Sequence, residues 1–200
     1  HKLVLKALSV YMYNSKPVTV LNFGEENIYK ELRRGEKREF PFPTLGIEHE
    51  IEINDPELGP TKFHVRTGEF EDGTIGKIFI DCAQAGSPLR GILHNFAIGI
   101  SKALTRGVSL DDLVNTYVGQ EYAPKGFVRI PTNGGLSSPH PYIKTTKSIA
   151  DYIFRMLAIE YQGRTEFATE PDKIEVSKLR GAVNGSISSY RKTKIDEWDF

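Results

Sequence analysis

The sequence has 200 residues, with 26 basic and 26 acidic side chains and a formal net charge of zero. Its 39% hydrophobic and 26% charged residues exclude a disordered chain, and the charge balance provides no global attraction to polyanions or membranes. The single cysteine, Cys82, excludes an internal disulfide framework and indicates a cytoplasmic or other intracellular setting. No apolar run reaches the roughly 18–20 residues of a membrane-spanning helix, so we expect no membrane association.

The first sixty residues are rich in strand formers and turn signals. Apolar, β-branched runs predict strands over residues 3–13 and 18–22, and acidic residues followed by arginines predict a helix over 25–34. Isoleucines alternate with glutamates over 47–53, a period of two that is typical of a half-buried strand. Together these elements predict a β-rich N-terminal extension over residues 1–60.

Two further strands are predicted over residues 62–69 and 75–82. They flank Glu71-Asp72-Gly73, and an Asp-Gly pair between two strands is among the strongest hairpin signals. This hairpin opens an α+β domain that we place at residues 61–163.

Three helices are predicted in the second half, over residues 87–107, 109–118 and 148–163. Ser148 is placed to cap the third, with Asp151 three positions on. The first helix has an apolar stripe formed by Leu89, Ile92, Leu93, Phe96, Ala97, Ile100 and Leu104. The apolar side of the third consists of Ile149, Tyr152, Ile153, Met156, Leu157 and Tyr161.

Two stretches lack a clear period. Residues 124–146 are predicted to form a long loop, and residues 164–200 a polar C-terminal tail or helix, with a helix over 173–192. The order of strands, hairpin and helices favours an α+β fold. We therefore expect an antiparallel sheet, with the hairpin around Asp72-Gly73, packed with a group of C-terminal helices.

The junction between the last hairpin strand and the first helix is a candidate anion site. Gly86 and Ser87 would present backbone amides at a helix N-terminus, and Arg90 would add a bidentate contact to phosphate or carboxylate. Asp81 closes the same junction on the strand side. The alternative is an ordinary helix start with a solvated arginine, because neither phosphate-binding glycine motif is present.

Cys82 has two interpretations. A thiolate near a helix N-terminus is a potential nucleophile, with His94 as the nearest downstream base, whereas a cysteine that ends an apolar strand is commonly a small core residue. No metal-binding spacing joins the histidines, which include His49, His64, His94 and His140. His49 and His64 are expected to share a sheet. The acidic residues around the hairpin, which would hold a cation or simply favour the turn, are Glu69, Glu71, Asp72 and Asp81.

Two other groups of residues are candidates for binding. Within the predicted loop they are Arg129, Asn133 and His140. In the basic C-terminal stretch, candidate nucleic-acid contacts are Arg180, Tyr190, Arg191 and Lys192, with Tyr190 stacking on a base. The alternative for this stretch is a solvated tail, or one that docks Trp198 and Phe200 into a partner.

Several runs resemble a known family, in order and with similar gaps, over about residues 61–163. They are 66–73 (RTGEFEDG), 76–81 (GKIFID), 95–98 (NFAI), 100–101 (IS), 107–108 (GV), Leu110, 121–126 (EYAPKG) and 148–158 (SIADYIFRMLA). The chain resembles the C-terminal accessory region, the TSCPD domain, of adenosylcobalamin-dependent (class II) ribonucleotide reductases. The domain is named after a five-residue motif, TSCPD. At the corresponding position, residues 147–151 of this chain read KSIAD and keep only the serine and the aspartate of the motif.

The resemblance implies a limit on function. Ribonucleotide reduction in that family needs a radical-bearing cysteine and a reducing cysteine pair, and one cysteine cannot supply them. The chain is therefore not expected to be the catalytic core. Ser148 and Asp151 also have a structural role available, as a helix cap and its partner, so the motif supports the fold more than any chemistry.

Our leading hypothesis is a non-catalytic accessory or stand-alone protein of deoxynucleotide or DNA metabolism. It would bind a reductase subunit or another protein, or a nucleotide or other phosphate-bearing ligand, and we expect no cofactor and no metal. One alternative is a nucleic-acid-binding protein of a replication or phage/mobile-element system. Others are a structural or assembly protein that forms homo-oligomers, and an enzyme that uses Cys82.

Overall fold

The computed structural model describes residues 35–82, 88–132 and 137–184. The predicted strands over 3–13 and 18–22 and the predicted helix over 25–34 lie outside the described residues. A six-stranded antiparallel sheet has the order β3-β2-β1-β4-β5, and β6 also pairs with β4. Its strands are β1 (Glu48–Asp55), β2 (Gly59–Glu69), β3 (Ile75–Cys82), β4 (Gly126–Pro131), β5 (Ser137–Pro139) and β6 (Thr145–Thr146).

Four α-helices are present in the described part of the chain. They are α1 (Pro88–Thr105), α2 (Leu110–Tyr117), α3 (Ile149–Gln162) and α4 (Arg180–Val183). Three 3₁₀ turns lie between α3 and α4, at Thr165–Phe167, Pro171–Lys173 and Val176–Lys178. An antiparallel sheet accompanied by helices confirms the predicted α+β class. No helix in the described ranges is both long enough and apolar enough to span a bilayer.

The predicted hairpin is present as β2 and β3. Phe63 pairs with Cys82 and Val65 with Ile80, so that their side chains share the inward face of the sheet. Gly73 in the turn has φ +78°, a left-handed conformation that favours glycine. A Cβ at this position would lie 2.7 Å from the Asn184 side chain, which docks on the turn and donates to the Gly73 carbonyl at 2.8 Å.

The helix boundaries follow the predicted caps. Ser109 accepts from the Asp112 backbone N–H at the start of α2, and Ser148 accepts from that of Asp151 at the start of α3. α3 ends at Gly163, whose φ of +67° is the left-handed cap conformation. Twelve of the fourteen residues of α3 are buried, so its predicted apolar side is only part of a helix that packs on nearly all sides.

Three sequence predictions are wrong in part. Residues 124–146 are not a loop throughout, because β4, β5 and β6 lie there; Pro131 and Pro139 only end their strands, where a missing N–H is tolerated. Ile92 does not belong to the core stripe of α1, since it is 65% exposed. The predicted helix over 173–192 is interrupted, because its described part contains the end of one 3₁₀ turn, at Lys173, and a second turn, Val176–Lys178, before α4 begins.

β1 contributes to the sheet along its whole length. Its register with β2 runs from Glu48 opposite Arg66 to Asp55 opposite Gly59, and it also pairs with β4. The sheet therefore draws on residues from both sides of the predicted boundary at residue 60. The limits of the domain along the chain stay a prediction.

A buried carboxylate joins the hairpin to the C-terminal segment. Glu69, at the end of β2, is 2% exposed and receives two hydrogen bonds from the Arg180 guanidinium, each 2.7 Å. Tyr161 of α3 donates to the same carboxylate at 2.8 Å. Burial raises the pKa of Glu69, but the hydrogen bonds from Arg180 and Tyr161 together lower it by more. The pKa of Glu69 therefore lies below its ordinary value.

We expect Arg180→Met to lower the free energy of unfolding by about 3–5 kcal/mol at neutral pH, because the substitution leaves Glu69 as a buried charge without its partner. Urea unfolding followed by circular dichroism measures this loss. The matched control is Glu71→Gln, an exposed neighbour of Glu69, whose effect should stay within about 0.5 kcal/mol. Equal effects of Arg180→Met and Glu71→Gln would contradict a structural role for the Glu69–Arg180 pair.

The same pair predicts a pH dependence. The folded pKa of Glu69 lies below its ordinary 4.5, so its contribution to stability is present above pH 4.5 and is lost as the pH falls through the folded value. In Glu69→Gln this acidic loss should be smaller than in the parent protein. Urea unfolding over the acidic range tests this, and identical pH profiles for the two proteins would argue against it.

Candidate functional site

The outward face of the sheet carries facing charges. Alternation along β1 turns Glu48, Glu50 and Glu52 away from the core, and the register places Arg66, His64 and Lys62 opposite them, in that order. The His64 Nε2 atom lies 3.9 Å from a Glu50 carboxylate oxygen. This face is therefore polar, and cross-strand pairs of opposite charge stabilise it modestly.

A depression of about 730 Å³ opens where this face meets the start of α1. Its lining includes two arginines, two histidines, two acidic side chains and an aromatic ring, which are Arg66, Arg90, His64, His94, Glu48, Asp81 and Phe79. Strands β1 to β3 supply one wall and α1 the other. Charged groups and an apolar surface are thus available together to a single ligand.

The structure brings together two of the four residues predicted for anion binding. Arg90 Nε lies 2.7 Å from Asp81 Oδ1, and Arg90 Nη2 donates to Asp81 Oδ2 at 3.1 Å. This paired contact ties the first turn of α1 to the end of β3. Gly86 and Ser87 lie outside the described residues, so the amide part of the predicted site stays a prediction.

Two lining residues, Arg66 and Phe79, were not predicted as site residues from the sequence. Phe79 is 49% exposed, and the Arg66 guanidinium carbon lies 5.8 Å from the centre of its ring. Such a cation–π contact presents an aromatic face and a positive charge side by side. A signal was available in the sequence, because the alternation of Ile78 and Ile80 places Phe79 on the outward face.

Cys82 is a core residue. Its side chain is 2% exposed and packs in the main hydrophobic cluster, on the opposite face of β3 from Asp81. His49 and His64 share the sheet as predicted, but on opposite faces, because His49 is opposite Val65 whereas His64 is opposite Glu50. Burial lowers the pKa of His49.

The acidic residues of the hairpin do not form one site. Glu69 is bound by Arg180, and Asp72 forms an ion pair with Arg38 at 3.0 Å and accepts from Thr74. Within residues 35–82, 88–132 and 137–184, no three His, Cys, Asp or Glu side chains are grouped as metal ligands would be.

Of the three residues predicted for the loop, one lies on a strand, one follows a strand and one is not described. Arg129 in β4 donates from Nε to the Ser137 hydroxyl at 2.7 Å and from Nη2 to the Ser137 carbonyl oxygen, which joins β4 to β5. His140 follows β5 and is buried. Asn133 lies outside the described residues.

His140 is held by hydrogen bonds on both ring nitrogens. Its Nδ1 accepts from the backbone N–H groups of Tyr142 and Ile143, at 3.2 and 3.0 Å, and its Nε2 lies 3.1 Å from the Tyr152 hydroxyl. Because Nδ1 accepts, the neutral ring carries its proton on Nε2 and donates to Tyr152. Burial, followed by the charges of His49 and Arg155, lowers the pKa of His140 to about 3.

Of the predicted nucleic-acid contacts, only Arg180 is described. Its guanidinium is engaged by Glu69, and its backbone N–H donates to Glu160 at 3.0 Å. The other three residues, Tyr190, Arg191 and Lys192, lie outside the described ranges, as do Trp198 and Phe200. A nucleic-acid role for this stretch stays a prediction.

Ser148 and Asp151, the two retained motif residues, hold local structure together. Asp151 Oδ1 accepts from the Gly119 N–H at 2.7 Å, and its Oδ2 accepts from the Thr146 hydroxyl at 2.9 Å and the Lys147 N–H at 3.1 Å. The Ser148 hydroxyl donates to the Gln120 carbonyl at 2.7 Å and caps α3. These bonds fasten the end of α2 to the start of α3.

The fold is thus a small antiparallel α+β module in which the retained motif residues are structural. The family model described as the TSCPD domain matches residues 29–161, and the chain belongs to the TSCPD domain family. This confirms the resemblance read from the sequence. No solved structure matches the chain.

The curated relatives are much longer proteins. The vitamin B12-dependent ribonucleotide reductase of Agrobacterium fabrum is 40% identical over 138 residues, which cover 69% of this chain and 10% of that protein. The protein of the same name from Bradyrhizobium diazoefficiens is 40% identical over 111 residues, 56% of this chain and 8% of that protein. The protein of the same name from Streptantibioticus cattleyicolor is 27% identical over 171 residues, which cover 80% of this chain and 26% of that protein. The chain spans about a tenth of the first two.

His140 is expected to remain neutral in the folded protein well below its ordinary pKa of 6.5. The unfolded chain takes up this proton and the folded chain does not, so stability is lost as the pH falls below 6.5, by about 1.4 kcal/mol per pH unit for this group. Long-range ¹H–¹⁵N NMR should show the Nε2–H tautomer with no protonation at pH 5. The urea-unfolded chain is the control, and protonation of the folded ring at pH 5 would refute the assignment.

Asp151→Ala is expected to cost about 2–4 kcal/mol of unfolding free energy, because the buried Thr146 hydroxyl and the backbone N–H groups of Gly119 and Lys147 all lose their acceptor. Its matched control is Asp112→Ala, at the equivalent position after the Ser109 cap of α2. Asp112 is exposed, and its loss should cost less than about 1 kcal/mol. Thermal or urea unfolding compares the two variants, and similar losses would show that Asp151 has no special structural role.

Proposed function

We propose that the chain is a non-catalytic accessory domain of deoxynucleotide metabolism. It would bind a nucleotide in the depression that β1, β2 and β3 form with the start of α1. The observation that carries this proposal is the convergence of two arginines, two histidines and an exposed phenylalanine on one concave surface. The relatives bear the name of a ribonucleotide reductase, which supports a role beside a reductase polypeptide inside the cell.

The chemistry of the lining suits a ligand with an aromatic ring and an anionic group. An exposed ring such as Phe79 offers a stacking surface for a base, and stacking tolerates any base because each has a π-face. Arg66 lies over that ring, and Arg90 is at the first turn of α1, so both can approach a phosphate. Glu48 and Asp81 offer acceptors for the amino groups of a base or the hydroxyl of a sugar.

A non-catalytic role is supported by how the candidate catalytic groups are used. Cys82 packs in the core, and Ser148 and Asp151 are hydrogen-bonded within the fold. The resemblance assigns ribonucleotide reduction to several cysteines, whereas this chain has one. The accessory domain would therefore sense or deliver a nucleotide rather than reduce it.

Titration with dATP tests the proposal. We expect saturable binding by calorimetry, with NMR shifts concentrated at Phe79, Arg90 and His94. Arg66→Ala should weaken binding roughly tenfold or more, because a charge-assisted hydrogen bond contributes about 1.5–3 kcal/mol. Arg66 is exposed, so its removal should leave the fold intact.

The matched control is Lys62→Ala, which removes another exposed cation from the outward face of β2, away from the depression. It should leave the affinity within about twofold, since a distant surface charge is screened by salt. Tripolyphosphate and deoxyadenosine, titrated separately, divide the affinity between phosphate and base. Absent binding of dATP, or equal losses in the two variants, would remove the proposal.

A further inference from the structure

A second concave surface, the edge groove, lies between β3 and α1. β3 is the terminal strand in the sheet order, so its outer edge is paired with no strand of the described sheet. α1 runs beside that edge, and Ser101 bonds the backbone of Ile78 twice, accepting from its N–H at 3.0 Å and donating to its carbonyl at 3.1 Å. The groove between the strand and the helix has a volume of about 480 Å³.

The floor of the edge groove is apolar. Phe79 of β3 and Ile98 of α1 line it and are 49% and 41% exposed, and the buried Ala97 lines it as well. Adjacent apolar side chains left open to water favour the docking of another apolar group.

The rim of the edge groove is basic. Among its described lining residues, four are cationic and none is Asp or Glu; the cations are Lys37, Lys77, Lys102 and Arg106. Lys77 is held in place over the ring of Phe40, with its Nζ 3.7 Å from the ring centre. Lys37 has an exposed partner, Glu39, at 3.6 Å. The groove therefore suits a segment that is both aromatic and acidic.

The chain itself contains such a segment. Residues 196–200 read DEWDF, in which three carboxylates surround two large aromatic side chains. The last described residue, Asn184, donates to the carbonyl of Gly73, two residues before β3 begins. Eleven residues lie between Asn184 and Asp196, and this stretch spans up to about 40 Å when extended, whereas β3 is about 26 Å long. The segment can therefore reach any part of the edge groove.

We propose that residues 196–200 dock in the edge groove of their own chain, with Trp198 and Phe200 on the apolar floor and the carboxylates against the basic rim. Charge complementarity and the position where the described chain ends carry this assignment. The proposal is independent of nucleotide binding. Phe79 and His94 line both the edge groove and the depression, so the docked segment would also border the proposed nucleotide site.

Trp198 is the only tryptophan in the chain, so its fluorescence reports on this segment without a label. In the full chain we expect emission at shorter wavelength than in the urea-unfolded chain, and acrylamide quenching that is several-fold weaker. Ile98→Asp and Lys102→Glu should each restore quenching towards the unfolded value. Added salt should act in the same direction, because it screens the rim charges.

Two matched controls separate docking from a general loss of structure. Ile92→Asp changes the other exposed isoleucine of α1, outside the groove, and Lys62→Glu reverses a charge on the outward face of β2. Both should keep Trp198 protected, and circular dichroism should show that all four variants are folded. Quenching of the parent protein equal to that of the unfolded chain, or the same response in all four variants, would overturn the proposal.

Concentration distinguishes docking within one chain from docking between two. Emission and quenching that stay constant over a roughly hundredfold dilution support the intramolecular contact, because its population is independent of concentration. Loss of protection on dilution would overturn it and assign the contact to a second copy.

Discussion

The buried Glu69 carboxylate is the interaction on which the arrangement of the elements depends. An isolated buried charge is strongly unfavourable, so the position of Glu69 requires Arg180, 111 residues along the chain, and Tyr161 of α3 to lie against the end of β2. Tyr161 also contacts the hydroxyl of Thr67 at 2.6 Å, and that hydroxyl accepts from the Ile47 N–H ahead of β1. One charge thereby fixes the hairpin, the central helix and the C-terminal segment relative to one another.

Both proposed binding surfaces depend on this arrangement through β3. The strand forms one wall of the depression and the floor of the edge groove, and α1 completes both. Two polar contacts hold the helix to the strand. One is the Asp81–Arg90 pair at one end, and the other is the pair of hydrogen bonds between Ser101 and the Ile78 backbone further along. Phe79 lies between these contacts on the outward face, so its ring is available to both surfaces. The polar contacts hold the strand and helix together, and the exposed aromatic ring would be a recognition surface in both proposed sites.

Sequence predictions succeeded where the interactions behind them join residues close together in the chain, and failed where they join distant residues. The hairpin around Asp72-Gly73 and the start of α3 at Ser148 were predicted well, because turn and cap signals act over a few residues. The strands within 124–146 were missed, since β4 joins the main sheet by pairing with β1, more than 70 residues away, and β5 and β6 pair only with β4. Asp81 and Arg90 were expected to lie close together because a strand–helix junction is visible locally, and the structure shows them in contact; their role in binding stays a prediction. Arg66 joined them only through the pairing of β2 with β3.

The sequence by itself determined the α+β class, the absence of a disulfide framework and the cap positions, because these properties depend on composition and local pattern. The resemblance of its residue runs to the TSCPD domain family was also visible in the sequence. The tertiary structure alone decided the roles of individual side chains. In the structure Cys82 lies in the core and Asp151 joins the end of α2 to the start of α3. Arg180 binds the Glu69 carboxylate and is not part of a free basic tail. A side chain's role depends on what packs against it, and those partners come from distant parts of the chain.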